Sequence, residues 1–303
     1  MRILPLSPRQ PLLAKGRDRA GAATIERLSA ATGLVLRMLT APFLAFTEHR
    51  SLLLEMAKRE VQGRYRGASF GLMWALISPF LVLCVYVVAF GFVMKSKWPH
   101  AAEGRASFAL ILYVGLIVHG FFAECVARAP RLILDNPNFV KKVIFPLDVL
   151  PWAMILSAMF HALMNVVVFV VLHALTSGAP PWTVVFFPLV MLPFVLFTAG
   201  LAWLLASLGV YLRDINQVTA VAVMAALFLS SAIVPLDAIP ARYQVVFQLN
   251  PLTFIIDQAR DVALWGRLPD WKGLGWYGLK AALFMYLGHA WFRATRGGFA
   301  DVL

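Results

Sequence analysis

Charge is scarce in this sequence: 14% of its 303 residues are Asp, Glu, Lys or Arg, against 61% apolar residues. A soluble domain usually carries about a quarter of its residues as charges, so this composition excludes an ordinary one. Cysteine is scarcer still, and Cys84 and Cys125 show neither metal-ligand nor redox spacing, which leaves them as small packing residues. No Gly-x-x-x-x-Gly-Lys-Ser/Thr run is present; neither Thr32-Gly33 nor Arg296-Gly297-Gly298 supplies a nucleotide loop. Pro5, Pro8 and Pro11 break up the start, and no compact apolar region with a small-residue cleavage site follows, so no cleavable signal peptide is expected. Paired catalytic carboxylates are also missing. Asp257 and Asp261 stand four apart, and solvent-facing acids are the simpler reading. His119, His161, His173 and His289 lack metal-ligand spacing and suit helix packing or interface hydrogen bonds.

What the chain has instead is long apolar blocks and a mean hydropathy of +0.77. A helix needs roughly 20 apolar residues to cross about 30 Å of hydrocarbon. Six blocks meet that expectation, at about 70–94, 107–126, 150–175, 183–211, 218–234 and 274–292. The first contains Pro79, which a membrane bundle tolerates better than a soluble core does. Residues 1–46 read as a flexible and surface-lying region, 47–66 as an amphipathic helix in the membrane interface, 67–293 as the transmembrane domain and 294–303 as a cytoplasmic tail. Between the fifth and sixth blocks, Pro235, Pro240, Pro251 and Pro269 cut the chain into pieces too short to cross, predicting re-entrant short helices. The expected fold is thus an all-α polytopic membrane protein with six spans.

The net charge of +12 is unevenly placed. Residues 1–69 hold twelve Lys/Arg against five Asp/Glu, next to the first apolar block. That is the pattern of a cytoplasmic face apposed to anionic lipid, and it removes the need for a nucleic-acid partner. Six spans put nineteen basic residues on the side of the termini and seven on the other, so both termini are expected in the cytoplasm.

Five motifs, in order, are more specific than hydropathy. They are Gly63-Arg64-Tyr65-Arg66-Gly67-Ala68-Ser69-Phe70-Gly71-Leu72-Met73-Trp74 running on to Pro79, Lys141-Lys142-Val143-Ile144-Phe145-Pro146, Tyr211-Leu212-Arg213-Asp214-Ile215, Ser230-Ser231-Ala232-Ile233-Val234-Pro235, and Asn250-Pro251-Leu252-Thr253-Phe254. Together they resemble the ABC-2-type permeases that export polysaccharides such as capsule, O-antigen and teichoic acid. Ala68 stands where that family usually has Ser, and Phe70 where it has Leu. The resemblance covers about residues 45–298.

The resemblance implies a membrane-spanning subunit, not itself an enzyme, of an ATP-driven exporter that moves a lipid-linked polysaccharide across a bacterial cytoplasmic (inner) membrane. It implies no cofactor on this chain, with ATP and Mg held by two copies of a separate ATP-binding subunit, and a second copy of this chain completing the conduit. Within that frame Glu55, Arg59, Asn136, Pro137, Lys141 and Lys142 are candidates for contact with the ATPase. Lys141 and Lys142 suit acidic groups on a partner, but lipid phosphates or solvent are the simpler reading. Trp74, Tyr86, Phe90, Trp203 and Tyr211 are candidate conduit aromatics, because sugars present C–H faces and hydroxyls; lipid contact or helix packing uses the same residues. Asn250 and Pro251 are far-side gate candidates, and as a bland alternative Asn250 caps a short helix with Pro251 in its first turn. Glu124 and Lys280 stand out as charges within apolar surroundings, where snorkelling to water is an alternative to function. Two other functions stay open: an ABC-2 permease for another amphiphile or a drug, and a membrane-embedded glycan or lipid enzyme.

Overall fold

A computed structural model describes residues 40–89, 105–141 and 145–303. Much of the N-terminal region, the loop at 95–104, Phe90 and Lys142 therefore lie outside the described residues. The chain divides into two compact units, Met1–Leu44 and Ala45–Leu303. Of the first unit the described part is a short 3-10 turn at Ala41–Phe43.

The second unit is built from helices. We label α1 Arg50–Tyr65, α2 Trp74–Tyr86, α3 Arg105–Arg128, α4 Val149–Ser177, α5 Phe187–Tyr211, α6 Ile215–Phe228, α7 Ala241–Leu249, α8 Pro251–Ala263 and α9 Trp271–Thr295. The turn between α1 and α2 uses Gly67 and Gly71 at φ of +86° and +51°, where a β-carbon would be strained.

Four stretches, not six, are long and apolar enough among the described residues to cross a membrane: Gly71–Ala89, Phe108–Arg131, Val149–Ser177 and Trp182–Tyr211. The six-span expectation is corrected on two counts. Its fifth block is α6, a 14-residue helix, which at 1.5 Å per residue is about 21 Å long, against about 30 Å of hydrocarbon. Its sixth block lies in α9, which has 25 residues but is diluted by Lys272, Lys280, Arg293 and glycines at 273, 275, 278 and 288. The interfacial helix and the re-entrant pair also need revision. α1 packs on α4, burying Leu53 and Ala57, while charges occupy much of its remaining surface, so it has no broad apolar face to lay on a bilayer. α8 presses an apolar face onto α3 and α5, whereas α7 buries no side chain, so the two form no clear re-entrant pattern.

α3 is the central post: 78% of its span is buried inside the protein, against 11% for the first span. α5 and α9 form the most extensive helix pair. Small residues let their backbones meet, since a β-carbon on Gly288 would overlap the Gly200 carbonyl and one on Gly200 would come within 2.7 Å of Met285 Cα.

One buried cation fastens α8 to this core. Arg260, 3% exposed, donates from Nε to the Ile111 carbonyl on α3 at 3.1 Å. Its Nη1 and Nη2 donate to the carbonyls of Ser231 and Ala232 at 2.6 and 2.8 Å. Asp257, one turn back, stands 3.8 Å from Nη1. Burial lowers the Arg260 pKa to about 10, with Asp257 opposing, so the guanidinium stays charged at neutral pH. Gly115 makes the room, because a β-carbon there would sit 3.0 Å from Arg260 Nη2. Removing the guanidinium strands buried carbonyls, each worth about 1–3 kcal/mol. Arg260→Met is therefore expected to lower the thermal unfolding midpoint in detergent clearly, whereas Arg242→Met, on exposed α7, leaves it in place; equal midpoints for the two variants would contradict the clamp.

Candidate functional site

The densest group of charges joins α1 to two spans. On α1, Glu60 and Arg64 are four apart, and on α3, Glu124 and Arg128 repeat that order, so each pair shares one helix face. Placed antiparallel, the two pairs are complementary. Arg64 Nη2 lies 2.9 Å from Glu124 Oε1, and Arg128 pairs with Glu60 at the other end. Arg128 also reaches back to Glu124 at 3.4 Å.

His161 of α4 completes the network. Its Nδ1 is 3.1 and 3.2 Å from the two Glu124 oxygens and 2.7 Å from Arg64 Nη1. That nitrogen can donate to Glu124 or accept from Arg64, but not both at once, so the proton position selects the partner. Glu124 and His161 are largely buried, with side-chain exposures of 14% and 9%. Tyr65 packs edge-on against the imidazole, 5.9 Å between centroids, and burial raises the pKa of its phenol. Below, Tyr113 donates to Asn165 at 2.8 Å, tying α3 to α4 again.

Two cavities flank the network. One of about 260 Å³ is lined by Arg64, Glu124 and His161 together with Trp74, Ser78 and Asn165. The other, about 430 Å³, is lined by Arg59, Glu60, Arg64, Arg128, Asn136 and Phe139. The structure thus gathers Arg59 and Asn136, expected on two separate ATPase-facing segments, around one cavity. Pro137 opens the one-turn helix Pro137–Val140 with Asn136 at its cap position; the Asn136 side chain donates to the Leu132 carbonyl. Glu55 and Lys141 are exposed and line neither cavity.

The conduit candidates separate. Trp74 lines the smaller cavity. Tyr86 ends α2. Trp203 is fully buried, wedged between Trp152 at 5.4 Å and His289 at 4.8 Å. Tyr211 is part-exposed and donates to the Thr295 carbonyl at 2.8 Å. Among the gate candidates, the Asn250 side chain accepts from Leu252 N–H and caps α8, with Pro251 in its first turn, and it also donates to the carbonyls of Ala226 and Leu229.

His161 keeps the hydrogen-bonding and packing role expected of it. Two polar centres escape sequence reasoning. Arg260 is one, although its place on the α8 stripe with Leu252, Ile256 and Ala263 signalled burial. The other is Asp148, before α4, whose Oδ2 accepts from Arg296 at 3.2 Å and whose Oδ1 lies 3.3 Å from His289 Nε2. Burial alone would raise the Asp148 pKa, but His289, Arg296 and Arg293 outweigh it and hold the carboxyl below the ordinary range. Asp257 and Asp261 each face their own cation, Arg260 and Arg267, and form no acid–base pair. Among the described residues no group of His, Cys, Asp or Glu is placed to hold a metal ion.

Long apolar helices and buried charges held in paired networks define a multi-span helical membrane protein. The chain belongs to the ABC-2 type transporter family, whose model matches residues 51–264. It is 27% identical over 256 residues to an O-antigen export system permease protein of Myxococcus xanthus, covering 84% of this chain and 96% of that one. It is 23% identical to an O-antigen export system permease protein of Klebsiella pneumoniae, over 83% and 95% of the two chains. To a polysialic acid transport protein of Escherichia coli it is 22% identical, over 78% and 90%. The chain is accordingly a transport permease related to polysaccharide exporters.

The network gives a ranked expectation. Glu124→Ala removes the shared acceptor of two guanidiniums and an imidazole in a largely buried place, costing about 1–3 kcal/mol. Glu60→Ala opens a more exposed pair and costs below about 1 kcal/mol. Thermal unfolding of the purified variants checks this; a larger loss for Glu60→Ala would contradict the burial argument.

Proposed function

We propose that this chain is the membrane subunit of an ATP-driven exporter that moves a lipid-linked polysaccharide across the bacterial cytoplasmic membrane. The observation that carries the reading is likeness over almost the full length of the O-antigen permease of Myxococcus xanthus, 96% of which is covered. Lipid-linked glycan is a cargo that fits apolar spans flanked by cavities bearing both rings and charges.

In this reading two copies of the chain form the conduit and two separate ATP-binding subunits hold ATP and Mg. Both termini lie in the cytoplasm, as the basic bias of the N-terminal region supports. The ATPase meets α1 and the segment around Pro137–Val140, with Glu55, Arg59, Asn136, Pro137, Lys141 and Lys142 as contact residues. Movement of α1 reaches α3 and α4 chiefly through Arg64–Glu124–His161, because breaking a pair around the largely buried Glu124 is costly, with the more exposed Glu60–Arg128 pair beside it. Trp74 and Tyr86 are offered as conduit aromatics, and Asn250 and Pro251 as members of a gate.

Co-expression with the ATP-binding subunit, followed by reconstitution with a lipid-linked glycan, tests this. ATP-dependent glycan movement is expected, and Arg59→Glu with Lys141→Glu is expected to weaken co-purification of the ATPase about tenfold, the effect of roughly 1.4 kcal/mol. An intact complex that moves a drug-like amphiphile but no glycan would overturn the substrate reading.

A further inference from the structure

We propose that the cleft between α8 and α9 is a binding site for an anionic phospholipid, with Lys280 holding its phosphate. This goes beyond the transport reading and does not depend on it.

The cleft has a volume of about 580 Å³. Its walls are aromatic pairs: Phe197 and Phe284 stack at 5.0 Å, and Phe254 and Tyr277 at 5.8 Å. Of the polar groups around it, Asn250 and Tyr277 are engaged, while Gln248 offers a neutral amide. The Asn250 amide is spent on the α8 cap and on the carbonyls of Ala226 and Leu229. The Tyr277 hydroxyl donates to the Pro251 carbonyl at 3.0 Å. Lys280 differs: it lines the cleft, is exposed, and among the described residues makes no ion pair, hydrogen bond or ring contact. A cation held beside aromatic and apolar walls without a protein anion calls for an anionic ligand.

The surroundings say which anion. Trp276, Leu279, Leu283 and Leu287 are all at least 60% exposed, and their spacing places them on one stripe of α9. An apolar stripe beside a cation fits acyl chains below a charged headgroup. Depth is marked by tryptophan, which concentrates at the membrane–water interface. Trp182, Trp271 and Trp276 are exposed, and Trp182 joins Trp271 through Phe186 by edge contacts of 5.7 and 5.6 Å. Lys280 is one turn along α9 from Trp276, and its long stem can carry the ammonium toward phosphate level. A neutral glycan would leave the Lys280 ammonium without a counter-charge. The chemistry therefore selects a phosphate attached to acyl chains.

The full-length chain in detergent, incubated with phosphatidylglycerol or phosphatidylcholine of matched chain length, gives a direct test by native mass spectrometry. Retention of phosphatidylglycerol is expected to exceed that of phosphatidylcholine about fivefold, the usual contribution of one cation near an anionic headgroup. Lys280→Gln should abolish the preference, while Lys280→Arg and Arg242→Gln keep it. As a second readout on the unaltered chain, a photoactivatable phosphatidylglycerol should label the segment from Trp276 to Phe284. No preference in the unaltered chain, a preference surviving Lys280→Gln, or labelling confined to other segments would overturn the proposal. Displacement of the lipid by glycerol phosphate alone would show a phosphate site without need of acyl chains, and would overturn it too.

Discussion

Hydrocarbon offers a charged group no partner, and this single constraint organises the protein. Glu124 is tolerable in an apolar helix because Arg64, Arg128 and His161 converge on it from three helices. Arg260 is tolerable because three backbone carbonyls and Asp257 surround its guanidinium. Each charge that must be paired fixes the position of the helix that supplies its partner. The polar minority, and not only the apolar majority, thus sets how the helices meet.

The same constraint distinguishes the two ends of the core. Around Glu124 the partners are side chains with alternative pairings, since His161 can bond Glu124 or Arg64. Around Arg260 they are main-chain carbonyls, with Asp257 at 3.8 Å. The first offers alternative pairings between α1 and the spans, whereas the second anchors α8 through the main chain. Glycine serves both packing and polarity: Gly200 and Gly288 bring α5 and α9 together, and Gly115 leaves space for the Arg260 head.

Much of this was legible in residues. Apolar runs identified a polytopic helical protein, and the ordered motifs from Gly63 to Phe254 pointed to its family. The Asn250-Pro251 cap followed from local chemistry alone. Span number did not, because length and apolarity had to be met together: α6 falls short in length and α9 in apolarity. α1 looked like an interfacial helix because its apolar residues recur at helical spacing opposite a charged face, but its partner α4 lies almost a hundred residues away in the chain, as the Tyr65–His161 contact shows. The Glu60–Arg64 and Glu124–Arg128 pairs are visible separately as helical spacings; that they answer each other depends on an antiparallel placement no local pattern specifies.

The central claim is that the network transmits displacement of α1 into the spans. A charge exchange tests it most directly, using ATP-driven export by the reconstituted complex as the readout. Arg64→Glu and Glu124→Arg should each abolish export while the complex stays assembled, and the double exchange should restore a substantial part of it. Full export in either single variant, or none in an assembled double variant, would contradict the account.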